Sequence, residues 1–129
     1  MRKIKAILKE VLGDLGHKES EISLLLTDDT EIRQLNKTYR NRDTPTDVLS
    51  FPTDDATYIG DIAISIDRAI EQARENGLTL HEELARLMIH GTLHLLGHDH
   101  EQGGYRAKKM RREEKRLMDL VTDDLLAMG

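Results

Sequence analysis

The chain has 129 residues, no cysteine and a formal charge of −5. That length fits one compact domain and is too short for two ordinary ones, while the missing cysteines exclude a disulfide framework and a thiolate zinc site, so histidine must supply any metal chemistry. The acidic balance excludes polyanion binding by bulk electrostatics and leaves only local basic clusters to consider.

No apolar run approaches membrane-spanning length, and the N-terminus Met-Arg-Lys-Ile-Lys lacks the apolar core and cleavage site of a signal peptide. A cytoplasmic protein in a reducing compartment is expected. Ile4, Ile7, Leu8, Val11, Leu12 and Leu15 recur at helical spacing, with Gly16 as a stop, so the chain opens with an amphipathic helix. Glu21–Thr27 holds a short apolar run that predicts a buried strand. Asp28, Asp29 and Thr30 can cap a second helix that turns Ile32, Leu35 and Tyr39 to the core and delivers Arg40 to its end.

Residues 41–46 have loop composition, and Pro45 drives its predecessor out of helical geometry. Asp47–Phe51 is expected to form a strand that Pro52 ends. Ile59–Ile66, where isoleucines alternate with small residues, predicts a half-buried one. Asp67 can cap a third helix reaching Gly77, with Ile70 and Ala73 inside. Thr79 and Glu82 have capping-box spacing, so a fourth helix is expected from Leu80 to near Leu96, apolar on most sides and therefore central. A last helix, about Gly104 to Ala127, is expected to bury Met110, Leu117, Leu120, Val121 and Leu125.

The densest chemical signal lies on the fourth helix, because four of the six histidines fall between His90 and His100. His90 and His94 are four apart and project from one helix face, Gly97 can stop the helix, and the chain can then bring His100 round as a third nitrogen ligand. Three imidazoles with an open position describe a catalytic zinc site, one ion per chain, although nickel or iron also suits imidazole. The spacing HxxxHxxGxxH is that of the metzincin proteases, except that Gly91 replaces the glutamate that serves as their general base. A lone histidine on a helix is usually an ordinary surface or core residue; three at ligand spacing around a glycine favour the metal. His98 is expected in the pocket or behind a ligand, and Asp99 can orient a ligand imidazole or be an exposed loop carboxylate.

Two basic clusters stand out against the acidic whole: Lys37, Arg40 and Arg42, and the run from Lys108 to Arg116. Glu113 and Glu114 interrupt the second, which reads as a solvated helix face that can also contact phosphates.

Two stretches together resemble the YbeY endoribonucleases: His-Gly-Thr-Leu-His-Leu-Leu-Gly-His-Asp-His at 90–100, and Leu-Asn-Lys-Thr-Tyr-Arg-Asn-Arg-Asp-Thr-Pro-Thr-Asp-Val-Leu-Ser-Phe-Pro at 35–52, followed by Gly60-Asp61-Ile62. The resemblance spans roughly residues 20–120. It implies zinc at His90, His94 and His100, an essential arginine at Arg40, and single-strand-specific cleavage of ribosomal RNA in rRNA maturation and ribosome quality control. Ribosome-associated proteins are then the expected partners, with no membrane and no DNA. Many relatives carry tyrosine where this chain has His98, and relatives often begin with an extra strand. Asp47, Ser50 and Asp61 have equally good structural roles at strand ends. Two other readings are a metal-dependent hydrolase of another substrate, such as a peptidase-like enzyme, and a non-catalytic ribosome-associated RNA-binding protein with a structural metal. The expected fold is α+β, one domain over residues 1–129, in which a small mixed sheet of about three or four strands packs with about five helices.

Overall fold

The structure, a computed structural model, describes residues 2–55, 57–97 and 104–127. In chain order its elements are α1 (Arg2–Asp14), β1 (Glu21–Thr27), α2 (Asp29–Arg40), β2 (Val48–Pro52), β3 (Tyr58–Ser65), α3 (Ile66–Asn76), α4 (Leu80–Leu95) and α5 (Gly104–Ala127). The α+β expectation holds. The sheet has three strands in the order β1-β3-β2, with β1 parallel and β2 antiparallel to the central β3.

The pleat of β3 sorts its side chains between two helical layers. Ile62 and Ile64 face α1, α4 and α5, where Ile7, Val11, Leu87, Met88, Met110 and Leu117 complete the main core. Ala63 points the other way and packs with Leu49 of β2 against Ile32 of α2. Full burial of an isoleucine is worth about 1.5–3 kcal/mol, so this alternation fixes the register strongly.

Helix ends follow the local chemistry. The Asp28 carboxylate accepts the Glu31 N–H at 2.8 Å to start α2. Thr79 and Glu82 exchange hydrogen bonds of 2.9 and 3.1 Å at the head of α4, the capping box the sequence predicts. Gly97 has φ +96°, a backbone that glycine tolerates, so the turn after α4 falls where expected.

Several expectations need correction. Tyr39 is 66% exposed rather than buried, because α2 turns Ile32 and Asn36 inward and leaves the tyrosine ring edge-on against Phe51 at 5.5 Å. Ile70 is 42% exposed because Ala69 and Ala73, four apart, form the inner line of α3. Leu120 is 39% exposed for the same reason beside Val121. The strand β1 is a half-buried edge strand with alternating exposure, since it pairs only with β3. Ser65, not Asp67, caps α3: its hydroxyl oxygen accepts the Arg68 N–H at 3.2 Å, while Asp67 accepts the Asp29 N–H at 2.9 Å. Ile66 therefore opens a helix instead of closing a strand.

Candidate active site

Close approach of α4 to the sheet sets the site. A Cβ on Gly91 would lie 3.1 Å from both the Ser50 hydroxyl oxygen and a methyl of Ile62, so glycine lets the helix settle there. The Ser50 hydroxyl then donates to the Gly91 carbonyl at 3.2 Å, tying β2 to the helix. Gly91 thus faces the sheet. A protease-type glutamate at this position would run into Ile62 and Ser50 rather than into solvent.

His90 and His94 emerge on the adjoining helix flank, their ring centroids 4.6 Å apart and their planes at 64°. The carboxylate of Glu114 on α5 stands 3.4 Å from Nδ1 of His90. A proton placed on Nδ1 is then shared with Glu114, and the lone pair of His90 resides on Nε2.

The facing wall comes from α2 and β2. An Arg40 Nη2–H donates to the Ser50 carbonyl, and the guanidinium sits 5.3 Å from the Phe51 ring centroid. Asn36, buried one turn earlier, holds the next loop: its carbonyl accepts the Asn41 and Arg42 N–H groups, and its Nδ2 donates to the Thr44 carbonyl at 2.9 Å. Asn41 takes the left-handed conformation at φ 60°, which asparagine tolerates. Arg40, Arg42, Ser50, His90 and His94 line one cavity of about 570 Å³. A second cavity, about 500 Å³ between α1 and the edge of β1, is lined by Lys5, Lys9, Glu21 and Tyr58 among others and contains no histidine.

Behind the histidines lies a polar network. Glu83, fully buried, receives two hydrogen bonds of 2.6 and 2.8 Å from Arg86, which also reaches Gln72 at 3.4 Å; Gln72 in turn donates to Asp47 at 3.4 Å. The Glu83 carboxylate holds the Arg86 guanidinium above its ordinary value despite its partial burial. Asp47 also accepts the Val48 N–H at 2.8 Å, and Asp61 accepts the Tyr58 hydroxyl, which raises the tyrosine above its usual range.

His90, His94 and Arg40 therefore share a cavity, while His98, Asp99 and His100 lie outside the described residues. Among the described residues no group of three or more metal-ligating side chains is assembled. The donor chemistry fits a metal in what is described: adjacent imidazoles, one with a carboxylate at its second nitrogen. Glu114, Asn36 and Ser50 are contributors that the sequence reading did not assign. Asn36 carried a signal, its i+4 spacing from the core residue Ile32; Glu114 carried none, because its contact crosses between helices.

Paired imidazoles and a guanidinium lining one polar cleft are chemistry suited to a phosphodiester, whose oxygens gain negative charge as the bond breaks. The family model described as Endoribonuclease YbeY matches residues 1–122. An endoribonuclease YbeY of Aquifex aeolicus is 47% identical over 127 residues, covering 95% of this chain and 85% of its own. That of Roseiflexus castenholzii is 49% identical over 108 residues, covering 76% and 68%. The solution structure of TM1509 from Thermotoga maritima matches at 32% identity with a TM-score of 0.68, covering 99% of this chain and 82% of that one. The chain belongs to the YbeY endoribonuclease family.

Proposed function

We propose that the chain is a zinc-dependent endoribonuclease that cuts single-stranded ribosomal RNA in the cytoplasm, in rRNA maturation and ribosome quality control, alongside ribosome-associated proteins. The observation carrying this reading is the shared cavity of His90, His94 and Arg40 in a chain of this family. The absence of a membrane-crossing helix among the described residues is compatible with it.

His90, His94 and His100 would hold the zinc ion, whose chemistry is Lewis-acid stabilisation of charge on a phosphoryl oxygen. Glu114 beside Nδ1 of His90 would leave Nε2 as the metal-binding nitrogen. Arg40 carries five N–H donors, of which one is given to the Ser50 carbonyl; the others are left for the phosphoryl oxygens that gain charge during cleavage. That tether and the Phe51 ring keep the guanidinium at the cavity wall before substrate arrives. Gly91 supplies no carboxylate, which speaks against a peptidase.

The test is cleavage of a structured ribosomal RNA fragment by zinc-loaded protein, beside Arg40→Ala and His94→Ala prepared identically. Cleavage by the wild type with both folded variants inactive supports the reading. Cleavage by none of the three, with RNA still bound, would transfer the chain to the binding-protein class.

A further inference from the structure

The first nine residues of α5, Gly104–Arg112, carry five cations and no acid, in a chain of net charge −5. Helix stability does not explain this placement. The N-terminal end of a helix bears partial positive charge and disfavours cations in its first turn, by about 0.3–1 kcal/mol for Arg106 at low salt, and the four cations beyond that turn gain nothing from the dipole. Nor do the interleaved glutamates neutralise them. Glu113 is engaged by Arg116 at 2.7 Å, and Glu114 is turned inward to His90. Lys108, Arg111 and Arg112 are exposed, and no ion pair holds them among the described residues.

Their direction follows from the helix itself. Arg116 reaches Asp14 at 2.7 Å, so its flank of α5 is turned to α1. Successive residues advance about 100°, which puts Lys108, Arg111 and Lys115, spaced i, i+3 and i+7, on one ridge, roughly 80–140° round the helix from Arg116 and so turned away from α1. Among the described residues Lys115 pairs with Asp119, at 3.5 Å between two exposed side chains, a contact of little energy. The ridge starts beside the site: Arg111 and Lys108 precede Glu114 by one and two turns, about 5 and 9 Å along the axis.

We propose that this ridge of α5, Lys108, Arg111 and Lys115, with Arg112 at its outer edge, is a track for the RNA backbone, carrying the strand away from the His90–His94 cavity along α5. The proposal rests on the RNA reading of the site and adds the path of the substrate beyond the scissile phosphate. Its contacts are with phosphates and are independent of sequence.

The experiment measures binding of a fluorescent 2′-O-methyl 12-mer oligouridylate to zinc-loaded protein between 50 and 300 mM salt, together with cleavage of uridine tetranucleotide and 12-mer RNAs. A triple variant, Lys108→Gln/Arg111→Gln/Arg112→Gln, is compared with a charge-matched control, Lys3→Gln/Lys18→Gln/Arg74→Gln, at exposed sites elsewhere. Loss of three phosphate contacts to a single strand flattens the slope of log K against log salt by about 2 and weakens 12-mer binding by more than about tenfold at 0.15 M. Tetranucleotide cleavage stays unchanged, and the control keeps the wild-type slope. An unchanged slope in the triple variant, or an equal change in the control, overturns the track while leaving the nuclease assignment standing. A wild type that neither binds nor cuts either RNA overturns the nuclease assignment and the track with it.

Discussion

The Glu114 carboxylate on α5 stands 3.4 Å from Nδ1 of His90 on α4, bridging helices at residues 24 apart in sequence. Both side chains are largely shielded from solvent, so the contact fixes the imidazole against rotation. Removing such a support costs roughly 10–100-fold in metal affinity. Glu114→Ala is expected to weaken zinc binding by that factor in competition with a chelating dye, and Glu114→Gln, which retains an acceptor oxygen, by less. An Ala variant binding zinc as tightly as the wild type would assign Glu114 to helix packing alone.

Gly91 and Gly13 are both helical glycines, and their replacement by alanine is expected to act in opposite directions. Around a Cβ at Gly13 nothing lies within 4 Å, so Gly13→Ala gains helix propensity, about 0.5–1 kcal/mol at most, this close to the helix end. At Gly91 the same gain is set against contacts of 3.1–3.2 Å with Ser50 and Ile62, and Ile62 is fully buried with no room to retreat. Overpacking of this kind costs about 1–3 kcal/mol, so Gly91→Ala is expected to be destabilising by about 1 kcal/mol net. Urea midpoints of the two variants decide this, and an upward shift for Gly91→Ala would show that α4 can lift from the sheet.

Glu10 on α1 is exposed, and the Asp124 carboxylate beside it raises it above the ordinary carboxylate value. A raised folded-state value means that the pair favours folding while Glu10 is protonated, below about pH 4.3, and that this contribution is lost as pH rises through the folded value. At neutral pH the two carboxylates repel. Glu10→Gln is therefore expected to raise the melting temperature slightly at pH 7 and low salt. The gain shrinks in high salt and disappears in acid.

Legibility in sequence followed locality. The capping box of Thr79 and Glu82, the stop at Gly97 and the inward line of Ile62 and Ile64 depend on residues a few positions apart, and each was readable. The i, i+4 pair of His90 and His94 belongs to the same class, and the structure puts the two rings together. Tyr39, Ile70 and Leu120 were misplaced because an apolar residue one step from the inner line of a helix looks the same in sequence as one on it. Contacts across the fold left no mark at all. Neither the contact of Glu114 with His90 nor the crowding of Gly91 by Ser50 follows from any spacing along the chain.

Glu83 and Arg86 form a nearby ion pair that separates folding from chemistry. Glu83 is fully buried while the Arg86 side chain keeps 38% of its exposure, so water partly screens the pair. Truncating one partner of a well-buried pair costs about 3–5 kcal/mol; with Arg86 half in water, about 1–2 kcal/mol is expected for Glu83→Gln. The double variant Glu83→Leu/Arg86→Met removes both charges and should recover most of that loss, because no buried group is left without a partner. The network reaches Asp47 at the head of β2 through Gln72, and Glu114 beside His90 acts on the Arg86 charge more weakly than Glu83 does. Cleavage per folded molecule should therefore remain within about twofold of wild type in both variants, with denaturation midpoints reporting stability alongside. A large activity loss in the fully folded double variant would instead make the pair a positioning element for β2 and for the Ser50 carbonyl that holds Arg40.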